Sequence, residues 1–192
     1  MIWKRIFGRS EQNAAAYAIY GALVSQARSR ELYLNAGVPD TIEGRFEMVV
    51  LHAFLILRRL KAATGADTAP AKAFGQRLFD ILFDDMDQTL REIGVGDLSV
   101  GKKIKALASS FYGRVAAYEE GLDASDPSVL EAALRRNVFP EMEPPVAEVE
   151  ALAAYVRRVG VALDAEPIAG LLKGKVAFAA PPAPVMTEGR SA

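Results

Sequence analysis

The segment from Phe46 to Leu60 restricts the possible folds more than any other part of this chain. Its residues are apolar nearly all round the circumference of a helix, and a helix of that kind is stable only where other elements cover every side of it. The longest apolar run within it, from Met48 to Leu57, is interrupted by His52. That run is far shorter than the roughly 20 residues of a membrane-spanning helix. We therefore expect a buried central helix in a cytoplasmic protein, or in one attached to a membrane only from the side.

The remaining segments have the periodicity of helices packed round such a centre. Apolar residues recur at intervals of three and four, no run alternates as a strand does, and no internal repeat is present. Residues 176–192 are rich in alanine and proline, which predicts a flexible tail. The prediction is an all-α single domain over residues 11–175, preceded by a basic segment over residues 1–10. Glycine and proline breaks divide it into about six to seven helices, over residues 11–30, 40–63, 71–93, 99–120, 127–136, 146–163 and 167–172.

Composition argues against several classes of function. The chain has 192 residues with no cysteine and one histidine, so it offers no thiolate zinc site, no cysteine nucleophile and no imidazole pair for a di-iron bundle. Its 23 basic and 24 acidic residues nearly cancel, whereas proteins that bind DNA usually carry a basic excess. No nucleophile, histidine and carboxylate form a recognisable set. We therefore expect no enzyme, no catalytic residues, no metal and no cofactor.

The near-zero net charge conceals a segregation of charge. The third predicted helix is acidic and the fourth is basic. Either the two helices neutralise each other, or the basic face binds an acidic partner or anionic lipid head groups. A metal site in the acidic cluster is the weaker interpretation, because metal sites built from oxygen ligands draw those ligands from several elements. The residues concerned are Asp80, Asp84, Asp85 and Asp87 on the third helix and Lys102, Lys103, Lys105 and Arg114 on the fourth.

His52 lies in the most apolar helix, where a hydrogen-bonded core histidine is the favoured interpretation over a ligand or an acid–base residue. An apolar helical interior could also hold a small ligand such as haem, quinone or lipid. We keep a binding module for such a ligand as the alternative function.

The first ten residues combine apolar and basic side chains. Trp3 and Phe7 are apolar while Lys4 and Arg5 are basic, a pattern suited to the surface of an anionic membrane. We predict membrane contact at these residues. The alternative is a terminus that frays or packs on the core.

A set of short strings occurs in a fixed order along the chain. Together these strings resemble the ubiquinol–cytochrome c chaperone family, over roughly residues 14–159. The strings are Val38-Pro-Asp-Thr41, Gly44-Arg-Phe-Glu-Met48, Leu51-His52, Leu78-Phe-Asp80, Asp85-Met-Asp87, Leu90-Arg-Glu92, Gly94-Val-Gly-Asp97, Val100-Gly-Lys-Lys-Ile-Lys105, Phe111-Tyr-Gly-Arg114 and Ala117-Tyr118.

The resemblance implies an α-helical, non-enzymatic protein. Mitochondrial members of the family assist assembly of ubiquinol–cytochrome c reductase, respiratory complex III, by binding newly made cytochrome b near the ribosome and the membrane. The implied partners are therefore cytochrome b or an early complex III intermediate, with the ribosome and a small partner subunit as further candidates. The implied location of a bacterial member is the cytoplasm, or peripheral contact with the cytoplasmic face of the inner membrane.

The resemblance also selects candidate residues. Those that match the family strings are candidates for partner binding, while Gly44 and Gly96 could equally be required by the fold. The candidate partner-binding residues are Asp40, Arg45, Glu47, Asp87, Arg91, Asp97, Lys102, Lys103, Tyr112 and Arg114.

Overall fold

The structure, a computed structural model, describes residues 2–92 and 94–184, with side chains at residues 11–92, 94–96 and 99–184. Every regular element in this part of the chain is a helix, which confirms the all-α prediction. Six of the described helices have at least twelve residues, in agreement with the predicted number. The elements are α1 (Ile2–Ala27), α2 (Arg30–Asn35), α3 (Ile42–Lys61), a 3₁₀ turn (Gly65–Asp67), α4 (Thr68–Glu92), α5 (Asp97–Asp123), α6 (Pro127–Val138), α7 (Val146–Ala165) and α8 (Ile168–Leu171).

Helix α3 forms the centre of the fold. It contacts α1, α4, α5, α6 and α7, and all of residues 50–56 are buried. The prediction of a buried central helix is therefore confirmed. Because this segment is apolar on every side, its burial by five neighbours is the main hydrophobic contribution that holds the helices together.

The start of α3 lies one residue beyond the one that the sequence favours, since Asp40 and Glu43, three residues apart, have the spacing of a capping box. The sequence suggested Asp40 as the cap, but the Thr41 hydroxyl accepts the hydrogen bond from the Gly44 backbone N–H at 3.1 Å. Thr41 has the extended backbone of a capping residue, while the Asp40 carboxylate binds Arg45 instead at 2.7 Å. Gly44 is required here, since a Cβ atom at this position would lie 2.0 Å from the carbonyl oxygen of Pro39.

Several helix boundaries also differ from the predicted ones. Helix α1 runs without a break through residues 2–27, so residues 2–10 continue the first helix of the domain. Helix α2 lies mostly between the first two predicted helices, which were placed at 11–30 and 40–63, and it includes Arg30, the last residue of the predicted first helix. Helix α4 begins at Thr68 because Pro70 falls in its first turn, where the missing N–H has no intrahelical partner to lose.

Helices α5 and α6 pack unusually closely at one point. A Cβ atom on Gly121 would lie 2.7 Å from the Cα of Leu130, so only glycine fits this crossing. Helix α6 begins as predicted, with Asp126 accepting a hydrogen bond from the Ser128 backbone N–H at 2.9 Å and Pro127 at the first helical position.

The C-terminal segment, residues 173–184, is not helical but contacts the helical body. The Gln26 side chain donates to the carbonyl of Ala179 at 3.1 Å, and the Asn35 side chain donates to that of Pro182 at 2.8 Å. The Phe178 ring packs edge-on against His52, with centroids 5.7 Å apart. The sequence placed residues 176–182 in a tail outside the domain, whereas the structure lays them against it. Residues 185–192 lie outside the described part of the chain, and their flexibility stays a prediction.

Candidate binding surface on α4 and α5

Four aromatic side chains join α4 to α5. The Phe79 ring lies 4.5 Å from that of Phe83, 5.5 Å from that of Phe111 and 6.1 Å from that of Tyr112, measured between centroids. Phe79 and Phe83 are four residues apart and so share one face of α4. Tyr112 is 63 % exposed and forms the outer edge of the cluster. An exposed tyrosine supported by buried rings is typical of an interface anchor.

The cluster borders a groove between α3, α4 and α5, which we call the aromatic groove. Its cavity volume is about 240 Å³, and its walls include Phe54, Leu57 and Phe111. At its end, the Lys61 ammonium pairs with the Glu119 carboxylate at 2.9 Å. The volume is below the about 300 to 1,000 Å³ of small-molecule sites. The groove is thus sized for one or two apolar side chains of a partner.

Three carboxylates of the acidic cluster on α4 have partners that do not belong to α5. The Tyr20 hydroxyl of α1 donates to Asp85 at 2.7 Å, Gln76 donates to Asp80 at 2.8 Å, and Arg91 pairs with Asp87 at 2.6 Å. Among the described residues, no ion pair links an α4 carboxylate to an α5 lysine. Among the described side chains, the carboxylates of α4 and the lysines of α5 therefore do not neutralise each other by direct contact.

The lysines near the start of α5 face solvent. Lys102, Lys103 and Lys105 are exposed, and within the described ranges no carboxylate pairs with them. Lys105 and Tyr112 are seven residues apart, which places both on the groove side of α5. Sequence reasoning placed Lys105 on the basic face of the fourth helix but left it out of the candidate partner-binding residues, which also lack Phe79 and Phe83. The i, i+4 spacing of the two phenylalanines beside an acidic stretch was the available signal.

Glu47 and Arg114, both candidate partner-binding residues, bind each other inside the fold. Arg114 Nε donates to Glu47 Oε2 at 2.6 Å, and a second hydrogen bond joins Arg114 Nη2 to Glu47 Oε1. The side chains are 7 % and 21 % exposed respectively. Burial raises the pKa of Glu47, and the bound guanidinium opposes that rise. The pair fastens α5 to α3.

The other candidates are spread over the surface. Asp40 and Arg45 form an exposed ion pair at the start of α3. Asp87 and Arg91 form another on α4. The side chain of Asp97 lies outside the described residues, as do those of Trp3, Lys4, Arg5 and Phe7, so the predicted membrane contact stays a prediction. Among the candidates whose side chains are described, Tyr112 and the lysines of α5 are accessible on one helix and are not paired with one another or with a carboxylate.

His52 is fully buried and both of its ring nitrogens are hydrogen-bonded. Nδ1 donates to the carbonyl of Met48 at 2.7 Å, because a carbonyl can only accept. Nε2 therefore accepts from the Tyr155 hydroxyl at 2.7 Å, and that hydroxyl accepts from Gln26 at 2.9 Å. Burial lowers the pKa of His52 to about 4. A haem iron at His52 would have to displace one of these bonds, so the arrangement favours the core histidine over the ligand.

The described residues lack both a metal site and a membrane-spanning helix. No group of three or more histidine or acidic side chains there is arranged to hold a metal ion. None of the described helices combines the length and hydropathy that crossing a membrane requires.

Comparison with known proteins identifies relatives. Residues 34–178 match the sequence model of the family described as ubiquinol-cytochrome C chaperone, which confirms the resemblance noted in the sequence. The matched range extends from α2 into the C-terminal segment and includes the whole α4–α5 surface.

Curated relatives and a solved structure agree with this match. The chain is 28 % identical over 150 residues to ubiquinol-cytochrome c reductase complex assembly factor 1 of Mus musculus, covering 78 % of this chain and 49 % of that protein. It is 26 % identical to the Xenopus laevis assembly factor 1 over 150 residues, 78 % of this chain and 72 % of that one. This chain thus spans about half the length of the mouse relative. The crystal structure of the Cbp3 homolog from Brucella abortus superposes with a TM-score of 0.82 at 38 % identity, covering 94 % of this chain and 97 % of that one.

Proposed function

Because this chain belongs to the ubiquinol–cytochrome c chaperone family, we propose that it assists assembly of ubiquinol–cytochrome c reductase by binding cytochrome b, or an early intermediate that contains it. The match over residues 34–178 carries the proposal. The role is that of a binding protein and needs no catalytic group.

We assign client binding to the aromatic groove and the α5 lysines beside it. A newly made membrane protein presents apolar side chains next to charged loops. The groove has room for one or two apolar side chains, and Tyr112 adds an exposed aromatic edge. Lys102, Lys103 and Lys105 supply a positive potential that attracts acidic loop residues and raises the association rate.

The paired candidates have a supporting role in this proposal. Glu47 and Arg114 hold α5 against α3. The ion pair of Asp87 with Arg91 lies on α4, which is one of the three helices that form the aromatic groove. These residues set the position of the surface rather than contact the client. The amphipathic start of the chain, at Trp3, supplies peripheral contact with the inner membrane, where the client is inserted.

The assignment is tested by a matched pair of double variants in the native organism. In the first, Lys105→Glu and Tyr112→Ala change the groove side of α5. In the second, Lys72→Glu and Tyr17→Ala make the same changes at exposed positions on α4 and α1. Cytochrome b that co-purifies with the chaperone and the amount of assembled reductase are both measured.

We expect the affinity of the groove variant for the client to fall about 30-fold, because truncating one anchor residue of an interface costs about 2 kcal/mol of binding free energy. The control variant should keep the native affinity. Equal client recovery from both folded variants would refute the surface assignment. Normal reductase levels after deletion of the whole gene would refute the function itself.

A further inference from the structure

The outer face of α5 carries one line of exposed residues that the fold leaves uncovered. Their spacing of four, three, four, three and four residues keeps them on a single stripe of the helix. The stripe spans about 27 Å at 1.5 Å per residue, and we call it the α5 seam. All its members are exposed, namely Lys102, Ala106, Ser109, Gly113, Ala116 and Glu120.

The small residues at the centre of the seam are not required by the packing of this chain. A Cβ atom on Gly113 would meet no atom within 4 Å. Gly121 on the same helix is different, because its Cβ would strike Leu130 of α6. Glycine inside a helix is destabilising relative to alanine. Since packing within this chain does not require glycine at position 113, a close contact with another molecule would account for it.

The two ends of the seam have opposite charges that are both unpaired. Neither Lys102 nor Glu120 forms an ion pair with any of the described residues, and both face solvent. When two copies of the seam are placed antiparallel, their residues are complementary. Each member lies opposite another member at the same distance from position 111, which sets Lys102 against Glu120, Ala106 against Ala116 and Ser109 against Gly113.

We propose that α5 is the interface of a homodimer, in which the seams of two copies pack antiparallel about a two-fold axis at position 111. Each Lys102 then pairs with Glu120 of the other copy. Gly113 and its small neighbours let the two helix axes approach closely, since interaxial distance is set by the side chains at the contact. An isologous contact requires self-complementarity of this kind.

A second copy fits the seam better than an unrelated helix. In an antiparallel pair of seams related by a two-fold axis, small residues face small residues and the lysine at one end faces the glutamate at the other. One pair of helices of this length buries less accessible surface than a stable interface needs, which is about 1,200 Å² in total. The dimer is therefore weak, reversible and sensitive to salt. The aromatic groove lies to one side of the seam and remains open in the dimer.

The first test measures self-association of the purified full chain by sedimentation equilibrium, without any client. Lys102→Glu and Glu120→Lys each place like charges together twice per dimer, and each should weaken association about tenfold. The double variant, with both reversals, should restore it because the pairs re-form with exchanged signs. Lys72→Glu, an exposed reversal away from the seam, should have no effect.

The second test fixes the register. The chain has no cysteine, so Ser109→Cys and Gly113→Cys variants each introduce a single thiol. A mixture of the two should form disulfide-linked pairs faster than either variant alone, because opposing positions lie within the reach of a disulfide.

A chain that remains monomeric at every concentration would overturn the proposal, as would failure of the double charge reversal to restore association. Lys102 also belongs to the lysines assigned to client binding, but self-association is measured without client and the thiol variants lie at Ser109 and Gly113, so failure of either test is separate from failure of the proposed function.

Discussion

Loss of the guanidinium from Arg114 should be among the most destabilising single changes in this chain. The substitution Arg114→Met keeps an unbranched side chain of similar reach but leaves the Glu47 carboxylate, 7 % exposed, without its partner. Removing one partner of a buried ion pair costs about 3 to 5 kcal/mol, because the remaining charge is desolvated and uncompensated. We expect a loss near about 3 kcal/mol, since Arg114 is itself 21 % exposed and some water reaches the site.

The reverse truncation should cost less. In Glu47→Leu the guanidinium stays on a flexible stem and can turn toward solvent, so the loss should be about 1 to 2 kcal/mol. The double variant replaces a buried ion pair by two apolar side chains, which is often nearly neutral. It should fall within about 1 kcal/mol of the native protein, and the two changes would then be strongly coupled.

The assay is urea unfolding followed by far-ultraviolet circular dichroism on the native chain, both single variants and the double variant. Burial raises the pKa of Glu47, and in Arg114→Met the guanidinium that opposes this rise is gone, so the carboxyl takes up a proton more readily in the folded variant than in the unfolded chain. The cost of Arg114→Met should therefore shrink as the pH falls below neutral and the carboxyl takes up a proton. A loss below about 1 kcal/mol for Arg114→Met, or a double variant as unstable as the sum of the singles, would refute this account of the pair.

Four further substitutions test the packing, the helix start and the buried histidine. Gly121→Ala should destabilise the fold by about 1 to 2 kcal/mol in urea unfolding, because its methyl group meets Leu130. Gly113→Ala places its methyl group in open space and should stabilise the fold by about 0.5 to 1 kcal/mol. Equal effects of the two substitutions would contradict the close approach of α5 and α6 at Gly121. Asp126→Ala removes the cap of α6 and should cost about 1 kcal/mol in the same measurement, while no loss would show that the cap is dispensable. Since the pKa of His52 is lowered to about 4, the unfolded chain takes up its proton first as the pH falls. Stability should therefore decline by about 3 kcal/mol between pH 7 and pH 4 through this group alone. His52→Gln should show a pH profile flatter by that amount, and an unchanged profile would contradict the assignment.

The hydrophobic pattern was sufficient to predict the central helix. A segment apolar on every side has only one stable environment, so the burial of α3 followed from its residues alone. Local signals also placed the start of α6 at Asp126. They failed at residues 2–10 and 30–35, where helices form in segments that carried no clear start or stop signal, and at Pro70, which the first turn of α4 accommodates.

The candidate site was less accessible to sequence reasoning because it depends on which side chains meet in three dimensions. The charge segregation between α4 and α5 was visible, but the sequence could not show that Asp85 binds Tyr20 of α1 rather than a lysine of α5. It likewise could not show that Glu47 and Arg114, far apart in the chain, bind each other. The contacts of Phe178 with His52 were missed because an alanine- and proline-rich composition resembles a linker even where the chain is packed.

The most direct test of the central claim is site-specific photocrosslinking in native membranes. A photoreactive residue placed at Tyr112, on the edge of the aromatic groove, should crosslink to cytochrome b during assembly of the reductase. The same residue at Val161, which is exposed on α7, should not. A cytochrome b adduct from position 112 and none from position 161 is the predicted result. Equal adducts from both positions, or an adduct from position 161 alone, would contradict the assignment of the client to the α4–α5 surface.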